Sequence, residues 1–258
     1  MKILVIGDVV GKLGVDMVKK YLPKLIEQHE IDFTIVNGEN SADGMGITKN
    51  IFNDLRRSGA DVITMGNHTW GKKEIFTFID EEERLIRPSN YAEGLPGKGK
   101  VLLDCKNCKI GVVDLIGRVN VGGNFDSPFE RAEKDIVELR AKGADIIIVE
   151  MHAEATAEKI ALGYYLKEKA TIVYGTHTHV QTADEKIYET GMGYITDIGM
   201  TGPKDSIIGM EPAAALKRFL TQMPERYACA QGPSMLNGVV FEIDEQTKKV
   251  SNIVRISL

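Results

Sequence analysis

Five strand-like segments of this chain lead into side chains of the metal-ligand type, and that coincidence limits the fold more than any other feature. Residues 2–6 run into Gly7-Asp8, and residues 33–36 into Asn37-Gly38-Glu39-Asn40. Residues 61–65 run into Gly66-Asn67-His68. Residues 145–150 lead to Met151-His152, and residues 171–174 to Gly175-Thr176-His177-Thr178-His179. Residues 14–29 carry apolar side chains at helical spacing, at Val15, Val18, Leu22, Leu25 and Ile26. Strands alternating with helices build a parallel sheet, and ligands bind such sheets at the carboxyl ends of the strands. All five terminal groups are therefore expected along one edge.

The spacing predicts further helices around 48–58, 71–80, 129–142, 155–169 and 211–220. It predicts a hairpin over 100–116, a polar loop over 118–128, and short strands near 186–189 and 193–196. A loop then precedes the helix at 211–220, and strands at 237–243 and 249–256 close the pattern. No linker, low-complexity segment or solenoid repeat interrupts it. We therefore read residues 1–258 as one α/β domain, with two packed sheets between outer helices in an α/β/β/α sandwich.

Charge narrows the function. The chain has 32 basic and 37 acidic residues, a net charge of −5. That argues against a protein that coats a nucleic-acid duplex, which needs a basic face to displace counterions. A small anionic substrate remains compatible, because a local metal site overrules the global charge. No run approaches the 18 or so apolar residues of a membrane span. The opening segment has only four apolar residues before Gly7, so it reads as a core strand, and a cytoplasmic location is expected. Cys105, Cys108 and Cys229 are expected as free thiols. Cys105-Lys106-Asn107-Cys108 lies between two strand-like runs, where a hairpin turn is more natural than a zinc or redox motif.

Each candidate residue alone has a plain structural explanation. Asp8 would serve as a helix cap, Asn67 as a turn residue, and His152 as a hydrogen-bonded core histidine. The conjunction is what these explanations miss: four of the five histidines follow strands, and only His29, at a polar helix end, does not. The segment from Gly7 to Gly14 is neither a dinucleotide fingerprint nor a P-loop. Asp8-Val9 occupies the place of the second glycine, and Lys12 is followed by Leu13.

The order Gly-Asp, Gly-Glu-Asn, Gly-Asn-His, His and Gly-x-His-x-His resembles the five motifs of the calcineurin-like metallophosphoesterases, from Asp8 to His179. NGENSADGMGIT, GNHTW and TDIGMTGP are similar to a bacterial branch described as 2′,3′-cyclic-nucleotide phosphodiesterases. Three positions depart from the general pattern. Val10 stands where the first motif usually has a histidine, Glu39 where an aspartate usually bridges, and Thr69 where an acidic residue usually follows. The resemblance implies the corresponding two-sheet fold and two metal ions. Asp8, Glu39, Asn40 and His179 would surround one, and Glu39, Asn67, His152 and His177 the other, about 3.5–4 Å apart. Asn40 would replace the missing histidine through its side-chain oxygen. Nitrogen and oxygen donors without thiolate suit iron or manganese first, and also zinc or cobalt.

Such a site stays electropositive after Asp8, Glu39 and a bridging hydroxide are counted, so it favours phosphate. The resemblance implies hydroxide attack in line with the leaving oxygen, with His68 as the leaving-group acid. Loops 41–47, 118–128 and 197–210 are expected over the site, with Arg118, Lys204 and Ser206 as candidate substrate contacts. The expected function is hydrolysis of cyclic nucleotides, 2′,3′- and also 3′,5′-cyclic, or of short RNA ends. The rivals are a phosphomonoesterase, including a protein phosphatase, and a regulatory metal- or nucleotide-binding protein acting through partners. His68 argues against the last, since a pure binding protein needs no leaving-group acid. The expected partners are a nucleotide or other small phosphate ester, short RNA and, in a homo-oligomer, further copies of the chain, with no membrane.

Overall fold

A computed structural model describes residues 1–258. In chain order the strands are β1 (Lys2–Ile6), β2 (Asp8–Val9), β3 (Phe33–Asn37), β4 (Val62–Thr64), β5 (Leu85–Ile86), β6 (Lys100–Cys105), β7 (Cys108–Ile116), β8 (Ile146–His152), β9 (Ile172–Thr176), β10 (Lys186–Ile187), β11 (Gly193–Ile195), β12 (Met200–Pro203), β13 (Ser234–Ile243) and β14 (Val250–Ser257). The α-helices are α1 (Gly11–His29), α2 (Lys49–Arg57), α3 (Pro128–Ala141), α4 (Thr156–Leu166) and α5 (Pro212–Thr221).

Alternation along the strands sorts their side chains between cores. In β1, Ile3 and Val5 face the second sheet, while Leu4 and Ile6 face α1 and α2. In β8, Ile146 and Ile148 face the first sheet, while Ile147 and Val149 face α3 and α4. The inner core between the sheets also takes Ile35, Val112, Tyr174 and Phe241. The layers are thus helix, sheet, sheet, helix.

The first sheet runs β2-β12-β13-β1-β3-β4-β5, with β14 along β13. The second runs β10-β11-β9-β8-β7-β6. Both are mixed. β1, β3, β4 and β5 are parallel, as are β7, β8, β9 and β11, while β13 is antiparallel to β1, β12 and β14. No helix is long and apolar enough to cross a membrane.

Local chemistry accounts for two of the helix starts. Thr48 Oγ1 accepts from the Ile51 amide at the start of α2, and Ser127 caps α3 with Pro128 in its first turn. Asp8 caps nothing: α1 begins after Val10 without a side-chain cap. The helix expected over 71–80 is instead a single 3₁₀ turn, Lys73–Thr77. Ile75, Phe76, Thr77 and Phe78 are β-branched or aromatic and favour helix weakly, and Phe76 is held by stacking on Trp70, 5.1 Å between ring centres. β2, β5 and β12 are additions to the expected pattern. They have two to four residues, too few to display a period, and β12 lies within the segment read as the loop 197–210. Lys106-Asn107 does turn a hairpin that sets Cys105 opposite Cys108. All three thiols are free.

Candidate metal centre

The carboxyl ends of both sheets meet at this centre. Asp8 follows β1, Glu39 and Asn40 follow β3, and Asn67 and His68 follow β4. His152 ends β8, and His177 and His179 follow β9. The structure brings all eight into one network. His152 Nε2 lies 3.2 Å from Glu39 Oε1, 2.9 Å from Asn67 Oδ1 and 3.0 Å from His177 Nδ1. Asn40 Nδ2 lies 3.0 Å from Glu39 Oε1 and 3.2 Å from His179 Nε2, and His179 Nε2 is 3.7 Å from Asp8 Oδ1. His68 Nδ1 meets Asn40 Oδ1 at 2.6 Å, and the His68 amide donates to Glu39 Oε2.

These residues fit a divalent metal. One imidazole nitrogen makes one good hydrogen bond, yet three groups converge on His152 Nε2. Donor atoms of Glu39, His152 and His177 lie within 4.8 Å of one another and could hold a metal ion. Asp8 Oδ1 is buried without a hydrogen-bond partner, a costly state that a cation would relieve. Gly66 makes the close approach possible, since a Cβ there would collide with the Glu39 carboxylate and the His152 ring.

The ring nitrogens of His152 and His179 are oriented from behind. Thr176 Oγ1 donates to Glu150 Oε1 at 2.8 Å and therefore accepts from His152 Nδ1 at 2.9 Å. That fixes the His152 proton on Nδ1 and turns Nε2 toward the centre. Asn37 and the Tyr174 hydroxyl donate to the same buried Glu150. His179 Nδ1 donates to the Ile208 carbonyl at 2.8 Å, which leaves its Nε2 facing Asp8.

His177 and His179 both have left-handed backbones, with φ of 91° and 64°. Strain of this kind costs on the order of 1–3 kcal/mol per residue and persists only where the surroundings impose it. The clamp is Thr178, whose amide and hydroxyl both bond Asp197 Oδ2, at 3.1 and 2.6 Å. Asp197 is buried and is itself held by buried Lys159, at 2.7 Å, and by the Gly199 amide.

The electrostatics follow from burial. Burial pushes the Asp8 carboxyl up to about 6, against the pull of His179 and His152. Burial also opposes ionisation of Glu39, but His152 and then His68 hold its carboxyl well below the usual range. Burial opposes charge on His152 as well, yet Glu39 and then Asp8 bring it up to about 9. His177 is pushed down to about 3 by burial and by the neighbouring His152, which keeps its ring neutral.

The cavity over the centre holds about 550 Å³. Glu39, Asn40, His68, His177 and His179 line it, together with Met45, Ile208, Met210 and Tyr227. Of the loops expected over the site, 41–47 and 197–210 contribute to this lining and 118–128 does not. Arg118, Lys204 and Ser206 are not in the lining. Arg118 and Lys204 are exposed, the Arg118 amide being tied to Glu158. Ser206 is taken up locally, donating to the Pro203 carbonyl and accepting from the Gly209 amide.

Sequence reasoning missed Glu154, whose carboxylate lies 3.1 Å from His177 Nε2, and the supporting Glu150, Thr176, Asp197 and Lys159. Glu150 and Thr176 each lie within two or three residues of a predicted ligand, the one signal that marked them. A larger cavity, of about 620 Å³, lies beside β6 among basic residues. Its Lys100 and Arg131 are already paired with Asp135, and Arg87 donates to three main-chain carbonyls.

Residues 4–256 match the sequence pattern of a family described as YmdB-like protein. The chain belongs to this family. A relative from Bacillus subtilis (strain 168), the 2′,3′-cyclic-nucleotide 2′-phosphodiesterase, is 52% identical over 256 residues, which is 99% of this chain and 96% of that protein. The crystal structure of a phosphatase from Mycoplasma pneumoniae superposes with a TM-score of 0.94 at 34% identity, covering 100% of this chain and 93% of that one. A protein from Thermus thermophilus superposes with a TM-score of 0.93 at 38% identity, covering 100% and 99%. The two-sheet α/β arrangement is thus that of metallophosphoesterase-like proteins.

Proposed function

We propose that this chain is a dinuclear-metal phosphodiesterase that opens 2′,3′-cyclic nucleotides. The observation that carries this reading is the position of Glu39. Its Oε1 lies 3.0 Å from the Asn40 amide on one side and 3.2 Å from His152 Nε2 on the other. Asp8, Asn40 and His179 would hold one cation with it, and Asn67, His152 and His177 a second. Iron or manganese suits these donors first, then zinc or cobalt. When bound, the cations draw charge from the phosphoryl oxygens and acidify the attacking water.

The chain's own residues do the rest. His68 lines the cavity with its ring one-third exposed, at 33%. Its main-chain amide is fixed on Glu39 and its Nδ1 on Asn40, so Nε2 is the nitrogen left for substrate. In its Nε2–H form the ring delivers a proton to the leaving ribose oxygen, the 2′-oxygen if this chain acts as the name of its Bacillus subtilis relative says. Short RNA ends carrying the same cyclic phosphate fall within this reading.

The test is a panel on the manganese- or iron-loaded protein: 2′,3′-cyclic AMP, 3′,5′-cyclic AMP and phosphomonoesters. The expected result is the highest kcat/KM on 2′,3′-cyclic AMP. Monoesters in the lead would make the chain a phosphomonoesterase.

A further inference from the structure

Ile208 is in the wrong place for a structural residue. Ile207 and Met210 exchange both main-chain hydrogen bonds, 3.0 Å each, so Ile208-Gly209 forms a two-residue hairpin turn. Both central residues have positive φ, 48° at Ile208 and 98° at Gly209. A turn of this kind favours Asn-Gly or Asp-Gly. A β-branched residue at positive φ is an outlier and carries strain. The backbone there has a purpose, because the Ile208 carbonyl accepts from His179. That purpose needs only the turn. It does not explain the isoleucine side chain, which is 51% exposed and lines the cavity.

The neighbours of Ile208 supply the explanation. Met45, Met210 and Tyr227 line the same cavity, and Met45 and Tyr227 are likewise exposed. Arg218 lies 5.3 Å from the Tyr227 ring centre and steadies it. Gly44, also in the lining, lies close to Met210 and Cys229, which leave little room there for a side chain. The lining therefore joins the polar groups of the candidate metal centre to one aromatic ring, two thioethers and a branched alkyl group.

We propose that Met45, Ile208, Met210 and Tyr227 form a nucleobase-binding wall, seating the base of the substrate while its phosphate lies at the metal centre. This deepens the phosphodiesterase reading and rests on it. An aromatic and thioether wall binds the π-face that every base offers. It confers preference for nucleoside phosphates over baseless ones and discriminates little among bases. The strain at Ile208 persists because the side chain serves the substrate.

The test compares wild type, Tyr227→Ala and Ile208→Asn on adenosine 2′,3′-cyclic phosphate and on ribose 2′,3′-cyclic phosphate, which lacks the base. A stacked base is worth about 1–3 kcal/mol, so KM for the nucleotide should rise about ten-fold more than KM for the baseless ester. Ile208→Asn should at the same time raise Tm, because asparagine accepts the turn. Equal KM changes on the two esters would overturn the proposal. A second arm measures saturation transfer from the metal-free protein to adenosine. Transfer to the adenine protons, reduced in Tyr227→Ala, supports the wall, and its absence in wild type overturns it. Inactivity of wild type on both esters would instead overturn the phosphodiesterase reading, and the adenosine arm would still decide the wall.

Discussion

The side-chain oxygen of Asn40 lies 2.6 Å from Nδ1 of His68, so the residue beside Glu39 also orients the expected leaving-group acid. An amide oxygen only accepts, and Nδ1 therefore carries the proton. The Asn40 amide nitrogen meanwhile faces Glu39 and His179. Ligation through oxygen, as expected from the sequence, requires the amide to turn over. His68 Nδ1 would then face an NH₂ group and accept, moving the ring proton to Nε2, where a leaving group can use it. Nitrogen-15 NMR of the His68 ring should show Nδ1–H in the metal-free protein and Nε2–H in the zinc-loaded one. Nδ1–H persisting with metal bound would remove Asn40 from the ligands.

Glu39→Gln should lose the metal pair. Glu39 stands between both donor groups, and without its negative charge two dications are poorly screened from one another. Metal analysis of the purified variant is the measurement, and two ions per chain would contradict the bridging role.

His68→Ala should be hurt more on a ribose ester than on a nitrophenyl ester. Nitrophenolate leaves without a proton, whereas a ribose alkoxide needs one, and general-acid help is worth about 10²–10⁴-fold where it is needed. The readout is kcat on both esters, with metal content checked in the same sample. Equal losses with metal retained would assign His68 to steadying the phosphate.

In the metal-free protein His152 is pulled up to about 9, burial being outweighed by Glu39 and then Asp8. A raised folded-state value means that the stability from this group is complete below its unfolded value, about 6.5, and is lost as pH rises through about 9. Thermal unfolding of metal-free protein should reveal that decline, and Glu39→Gln should flatten it. Metal must expel the same proton, so metal affinity should strengthen over the same interval. A pH-independent affinity between about 6.5 and 9 would contradict this.

The parallel strands and the polar residues that follow them were legible because each strand is a run of apolar residues that stops at a glycine or polar group. Asp8, Glu39, Asn67, His152, His177 and His179 announce themselves by that placement. What was hidden depends on contacts between distant segments. Glu150 reads as one more polar residue until Asn37, Tyr174 and Thr176 are seen to share it. Ile208 looks like an ordinary apolar residue until its φ is known. Arg118 and Lys204 stand out for their charge in loops near the right motifs, and no local pattern reveals that neither lines the cavity.

β1 lies between β3 and β13, with Lys2 opposite Glu242 and Ile6 opposite Gly238. A ribosome therefore produces every expected ligand, up to His179, well before β13, the strand that pairs with β1 just ahead of Asp8. Closing so long a loop is entropically costly, and topologies dominated by such distant pairings fold slowly. Until β13 has emerged, β1 lacks one of its two neighbours, and Asp8 is not yet fixed against the residues expected to share a metal with it. Assembly of the expected metal centre is thereby timed by the arrival of β13 rather than by the appearance of the histidines.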